Sequence, residues 1–275
     1  MSASTLDISE RCVGCGQCVK VCIRGHLAVS DSKRAVETDS PYPCFGCGHC
    51  ASVCPVGAIT LKGTDADDIV QAGELAVGPE DLMALYRQRR SQRWFDRPCT
   101  QEEIEALIGS SRYAPTAENS RMVEFAVIDR RFGEFMRESA DILRAHTGEH
   151  PRIRQFVDYV DSGMEGKNNP FTWEGRQLII AFARFPIDAI IAMEHIDLMA
   201  CAMGLGGFHS RWLLQASEND RERFMSFFPE ISDGLYAFSV YVIGHPRVRY
   251  RRTVHRECHR VIWDRILTAD SESGL

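Results

Sequence analysis

Residues 12–22 read CVGCGQCVKVC and residues 44–55 read CFGCGHCASVCP, so eight of the eleven cysteines fall in two copies of one spacing. In each copy three cysteines sit two residues apart and a fourth follows after three more. That comb suits a pair of 4Fe–4S clusters: three thiolates wrap one corner of a cubane, and the fourth points away to the other cluster. The spacing therefore assigns Cys12, Cys15, Cys18 and Cys54 to one cluster, and Cys44, Cys47, Cys50 and Cys22 to the second. A zinc ribbon needs neither the third cysteine of each comb nor the Cys54-Pro55 pair. A disulfide framework needs an oxidising compartment, and the start MSASTLDISERC has neither the cationic nor the apolar region of an export signal. A cytoplasmic, reducing setting is expected.

Residues 8–62 resemble the bacterial two-cluster ferredoxins, with Ile23 standing where a proline would follow the first comb. A ferredoxin-like domain is thus expected over 1–62. The chain's 275 residues leave room for a second domain. Its 44% hydrophobic and 25% charged residues are ordinary for a globular protein. No apolar run approaches the ~18 residues of a membrane span, and a net charge of −6 argues against nucleic acid as a partner.

Residues 63–79, GTDADDIVQAGELAVGP, read as a solvated connector rich in glycine and aspartate. Beyond it, 80–275 should form an α/β domain, giving an α+β chain as a whole. Leu82, Leu85 and Tyr86 recur at helical spacing. Thr100-x-x-Glu103 is a capping box ahead of Ile104, Leu107 and Ile108. Strands are expected at 124–128, 178–183 and 237–243, and helices at 131–146 and from Pro186 to Met203. The stretch 146–176 reads as irregular, with a turn at Asn168-Asn169-Pro170, and Val261–Leu267 as a short helix.

Four motifs in register resemble the nitroreductase flavoproteins over about residues 85–256. They are Arg89-Arg90-Ser91-Gln92-Arg93-Trp94-Phe95, then Ala114-Pro115-Thr116-Ala117-Glu118-Asn119-Ser120, the helix exit Gly204-Leu205-Gly206-Gly207, and Gly244-His245-Pro246 with its arginine-rich tail. The resemblance implies bound FMN, a homodimer with flavin held between subunits, and a variable lid over the flavin at 146–176.

The residue chemistry agrees. A doubly charged phosphate needs guanidinium forks and hydroxyl donors, and Arg89, Ser91 and Arg93 alternate along what reads as an extended segment, with Arg90 beside them. The alternative is a solvated basic helix end. Pro115, Thr116 and Asn119 would frame the polar rim of the flavin, although Asx and Ser/Thr turns use the same residues. Gly206 and Gly207 would allow close backbone approach. Arg252, with Arg249 as second choice, would reach the phosphate from the tail. His209 falls near the flavin edge the resemblance implies, where it would supply a proton; the alternative is a structural histidine. Glu118 stands where the family commonly has a small residue, and Arg121-Met122-Val123 replaces the family's Gln-Pro-Trp.

Together these readings imply an FMN-dependent, nitroreductase-like oxidoreductase. A ferredoxin or flavodoxin would deliver single electrons, which pass through the clusters to FMN for two-electron reduction of a small conjugated or nitro-type acceptor. Three rivals stand beside it: a directly NAD(P)H-driven nitroreductase or quinone reductase, a non-catalytic electron-transfer or redox-sensing flavoprotein, and a flavin-modifying enzyme.

Overall fold

The structure is a computed structural model, and it describes residues 5–64, 69–165 and 169–263. The N-terminal unit is two interlocked copies of one small motif. Strand β1 (Leu6–Ile8), helix α1 (Gln17–Val21), β2 (Leu27–Val29), β3 (Ala35–Glu37), α2 (His49–Ser52) and β4 (Ile59–Leu61) follow in order. β1 pairs antiparallel with β4, and β2 with β3. Each comb opens its helix from a left-handed glycine, Gly16 at φ 74° and Gly48 at φ 75°. A Cβ is strained in that conformation, which accounts for glycine at both places. The repeat in sequence is thus a repeat in backbone. Cys18 and Cys50, the third cysteine of each comb, are buried with Leu6, Leu27, Ala35 and Ile59.

Helix α3 (Pro79–Gln88) begins the larger unit with Pro79 in its first turn, where the missing N–H has no partner to lose. It buries no residue of its own. Next come β5 (Phe95–Arg97) and α4 (Gln101–Ser110). The capping box forms: Glu103 N donates to Thr100 Oγ1 at 3.2 Å, and Thr100 N to Glu103 Oε2 at 2.8 Å. A turn over 111–120 leads to β6 (Val123–Ile128), α5 (Phe132–Leu143), α6 (Pro151–Asp161), β7 (Gln177–Ala183), α7 (Pro186–Ala202), β8 (Gly206–His209), α8 (Arg211–Asn219), α9 (Arg221–Ser226) and β9 (Tyr236–Pro246).

The sheet runs β5-β9-β7-β6, antiparallel throughout, with β8 also pairing to β9. Every residue of β7 is buried. Leu178, Ile180 and Phe182 face one core with α5, α6, α8 and α9, while Ile179, Ala181 and Ala183 face another with α4 and α7. Burial on both faces is why the strand reads as a continuous apolar run without alternation.

Three expectations need correction. The stretch 146–176 is not irregular throughout, because Ile153, Phe156, Val157 and Val160 form the buried face of α6. Phe156 then stacks on Phe171 at 3.9 Å, which anchors the loop after it. Asn169 is buried there and accepts from Phe171 N and Thr172 N, whereas Asn168 lies outside the described residues. Gly244-His245-Pro246 is part of β9 and does not end it. The expected tail helix is not seen at 261–263, and its remainder lies outside the described residues.

Candidate functional site

In the N-terminal unit the spacing-based ligand set comes together. A small cavity is lined by Cys12, Cys15, Cys18 and Cys54, the three-plus-one set drawn from both combs. Backbone amides point at the sulfurs: Ala35 N lies 3.3 Å from Cys12 Sγ, and Gly46 N 3.4 Å from Cys44 Sγ. The two outlying cysteines match each other, with His26 N 3.2 Å from Cys22 Sγ and Ala58 N 3.2 Å from Cys54 Sγ, each four residues on. Such amides favour the thiolate, and those of Ala35 and Gly14 lower the Cys12 pKa. Burial raises Cys18, and pushes Cys50 up to about 11. Binding a metal would deprotonate both thiols, so loading the site would release protons. The donor set fits two iron–sulfur clusters.

In the larger unit the arginine segment crosses the helix exit. Gln92 N donates to Gly207 O at 2.9 Å, which ties 89–93 to β8. Arg89 reaches back to α7, with Nη1 3.4 Å from Asp197 Oδ2. Arg90 lies over the Tyr250 ring at 5.1 Å, and Arg93 over Phe208 at 5.1 Å and Trp173 at 5.9 Å. The guanidinium groups therefore do not line up on one side as an extended strand would place them. Arg89 and Arg90 do line one cavity of about 940 Å³ with Tyr86, Arg87, His255 and Arg256. Arg249 and Arg252 are exposed and lie outside that lining, in which Arg256 is the tail's arginine. Ser91 is half-buried beside them. Buried Arg90 Nη1 and Gln92 Oε1 have no partner in the protein. Buried polar atoms are nearly always paired, so an unpaired Arg90 nitrogen at the cavity and an unpaired Gln92 oxygen beside Gly206 fit a phosphorylated, hydroxylated ligand such as FMN.

The glycines have a packing reason of their own. A Cβ on Gly207 would lie 1.9 Å from Val242 O, and one on Gly206 2.5 Å from Gln92 Cγ. No side chain fits where β8 meets β9 and the arginine segment.

The turn after α4 spends its polar groups on protein partners. Thr116 Oγ1 accepts from Arg121 N at 3.0 Å, and Ala117 N donates to Asp188 Oδ1 at 3.1 Å. Pro115 is exposed at its start. Asn119 Nδ2 reaches the N-terminal unit at Phe45 O and Gly46 O, and Glu118 pairs with Arg24 there.

His209 sits at the end of β8 with Nδ1 3.3 Å from Ser239 Oγ and Nε2 3.9 Å from Asp197 Oδ2. Desolvation lowers its pKa, while Asp197 and Glu194 pull the other way. The residue that sequence reasoning missed is Asp197, whose carboxylate faces Arg89, His209 and Tyr241 together. Its signal was present as a carboxylate inside the apolar run of α7, since a buried charge is retained only with partners.

Residues 86–245 match the model of the Nitroreductase family, and residues 7–61 that of a 4Fe-4S dicluster domain. A nitroreductase with bound FMN from Bacteroides fragilis NCTC 9343 is similar at 14% identity and a TM-score of 0.50, covering 66% of this chain and 99% of its own. A nitroreductase with bound FMN from Desulfitobacterium hafniense DCB-2 is 16% identical, with a TM-score of 0.49 over 64% of this chain and 93% of its own. An iodotyrosine deiodinase bound to FMN and 3-iodo-L-tyrosine is 15% identical, with a TM-score of 0.49 over 67% and 100%. No curated protein matches the chain. The first family model spans more than half of the sequence, and the fold agrees with it: this chain belongs to the nitroreductase family and carries a 4Fe–4S dicluster domain ahead of the nitroreductase unit.

Proposed function

We propose that the chain is an iron–sulfur flavoenzyme, built as a ferredoxin-like domain over 1–62, a connector over 63–79 and an FMN domain over 80–275. It takes single electrons from a ferredoxin- or flavodoxin-type donor and reduces a small conjugated or nitro-type acceptor by two electrons. When bound, the clusters supply one-electron transfer and FMN converts one-electron to two-electron chemistry. The observation that carries this reading is the contact between the cysteine-bearing unit and the Ala117–Asn119 turn of the nitroreductase unit within one chain.

The eight comb cysteines hold the clusters. Arg89, Arg90, Ser91 and Arg93 bind the FMN phosphate and ribityl chain, assisted by Arg249 or Arg252 of the tail. Gly206 and Gly207 bring backbone close to the flavin, and the Pro115–Asn119 turn borders it. His209 would supply a proton near the acceptor, with Asp197 beside its Nε2. The segment around α6 and Phe171 covers the acceptor pocket and sets substrate choice.

A homodimer completes the site. Supporting it are exposed apolar side chains at the two ends of α7: Phe185, Ile187 and Ile190 at its start, and Met199 and Met203 at its finish. Exposed apolar groups of this kind suit an association surface. Among the described residues no helix is long and apolar enough to cross a membrane. A cytoplasmic location and no nucleic-acid partner complete the proposal.

The test is anaerobic reduction of the purified protein, following cluster and flavin absorbance. Reduced ferredoxin should bleach both rapidly and NAD(P)H slowly. Rapid bleaching by NAD(P)H alone would replace this reading with a nicotinamide-driven reductase. Protein that neither contains nor binds flavin would reject an FMN enzyme altogether.

A further inference from the structure

Among the described residues the hydrogen bonds between the two units come from a turn of the larger one, and they fall asymmetrically on the smaller. Asn119 Nδ2 donates to Phe45 O at 3.3 Å and to Gly46 O at 3.0 Å, both within the loop between Cys44 and Cys47. Glu118 Oε1 accepts from Arg24 Nη2 at 2.7 Å, and Arg24 follows Cys22 by two residues. The Arg24 guanidinium also lies over the Phe45 ring at 4.9 Å and the Tyr42 ring at 5.8 Å. All these partners flank Cys22, Cys44 and Cys47, the set that the comb spacing assigns to the second cluster.

None of these contacts flanks the first set. Cys15 is exposed, and neighbouring Val13 keeps 61% of its surface.

The turn itself is strained into this arrangement. Glu118, Asn119 and Arg121 all have φ of 52°, a region that residues with a Cβ seldom adopt. Such strain persists only where the surroundings over-determine it. Here Asp188 of α7 holds Ala117 N, and Thr116 holds Arg121 N. Open clefts of about 660 Å³ and 600 Å³ flank Asn119. The first has Cys47 on one wall and Pro115 and Thr116 on the other.

We propose that Glu118 and Asn119 are positioning residues that latch the Cys22, Cys44, Cys47 and Cys50 set against the FMN unit. The Cys12, Cys15, Cys18 and Cys54 set is then the outward end, open to a one-electron donor protein. The latch makes and breaks no bond; it sets which cysteine set lies nearer the flavin. This rests on the iron–sulfur flavoenzyme reading.

The test uses the loaded holoenzyme and four variants: Arg24→Glu, Glu118→Arg, the double charge swap, and Asn119→Ala. Iron and flavin contents are measured first. Reduced ferredoxin is then mixed anaerobically with each, while cluster and flavin bleaching are followed separately. Hydrogen exchange over 42–48 and 116–121 gives a readout independent of turnover. The latch predicts that both single charge reversals and Asn119→Ala keep wild-type cluster bleaching but slow flavin bleaching at least tenfold. Exchange should rise in both segments, and the charge swap should restore both properties. Loaded variants with wild-type flavin bleaching and exchange would overturn the latch while leaving the flavoenzyme reading intact. Equal slowing of clusters and flavin would overturn the assignment of the outward end, because the donor would then dock at the joint. Wild-type protein without flavin would overturn both readings.

Discussion

Tyr241 donates its hydroxyl to Asp197 at 2.6 Å, in a place where the tyrosine is fully buried and the aspartate keeps 4% of its surface. The tyrosine comes from the central strand β9 and the aspartate from the central helix α7. Burial and the neighbouring carboxylate raise the Tyr241 pKa well above the ordinary phenol value, so the hydroxyl stays a donor. Asp197 needs that donor, because its other partners are Arg89 at 3.4 Å and His209 at 3.9 Å, both longer than a good hydrogen bond. Tyr241→Phe should therefore destabilise the protein by about 1–3 kcal/mol, the cost of leaving a buried acceptor short of a donor. Chemical denaturation compared with wild type checks this; an unchanged midpoint would mean that Arg89 alone satisfies the carboxylate.

Cys54→Ala should remove one ligand from the set that lines the small N-terminal cavity and leave the other set whole. Iron and acid-labile sulfide should fall by about half with FMN retained, given clusters of the same type in both sets. Unchanged iron would refute the crossed pairing of combs.

Arg89 and Arg93 reach different neighbours, yet both stem from the segment held to Gly207 by Gln92. Replacing both with Ala should cost most of the bound FMN, since each removes a charge-assisted donor of the proposed phosphate cradle. Flavin content per chain after gel filtration is the measurement. Full occupancy would place the phosphate elsewhere.

His209 offers a pH-dependent prediction. Its pKa is lowered, first by desolvation, from the ordinary 6.5, against the opposing pull of Asp197 and Glu194 and with Arg89 acting in the same sense as burial. A histidine depressed in the folded state binds its proton more readily when unfolded. The stability it contributes is present above about pH 6.5 and is lost as pH falls below that. In His209→Asn the fall in stability between pH 7 and pH 5 should be shallower than in wild type. Parallel profiles would show that the ring is not desolvated in solution.

Some of this was written locally in the chain and some was not. The Thr100–Glu103 capping box spans one helical turn, so the sequence alone specifies it. The comb pairing needs only the repeat, and the cavity carries its three-plus-one set. The apolar run of β7 betrays a strand buried on both faces. Helix α6 also had its periodic signal, in Ile153, Phe156, Val157 and Val160, but in a short segment of mixed polarity that Pro151 opens. The Arg24–Glu118 pair joins residues 94 apart, and nothing near either one marks the other. Glu118 reads only as a departure from the family's small residue until the second unit is seen to meet it. Likewise, the alternation of Arg89, Ser91 and Arg93 says nothing of Asp197, which draws Arg89 back toward α7.

A second subunit seated on the exposed apolar ends of α7 would tie stability to concentration. Phe185, Ile187, Ile190, Met199 and Met203 present apolar surface that water disfavours, so a second subunit covering it would make unfolding and dissociation one reaction. By mass action, a hundredfold increase in protein would then add about 2.7 kcal/mol to the folded state and raise Tm. A Tm that ignores dilution would mean that these side chains are either bare in the stable form or covered from within the same chain.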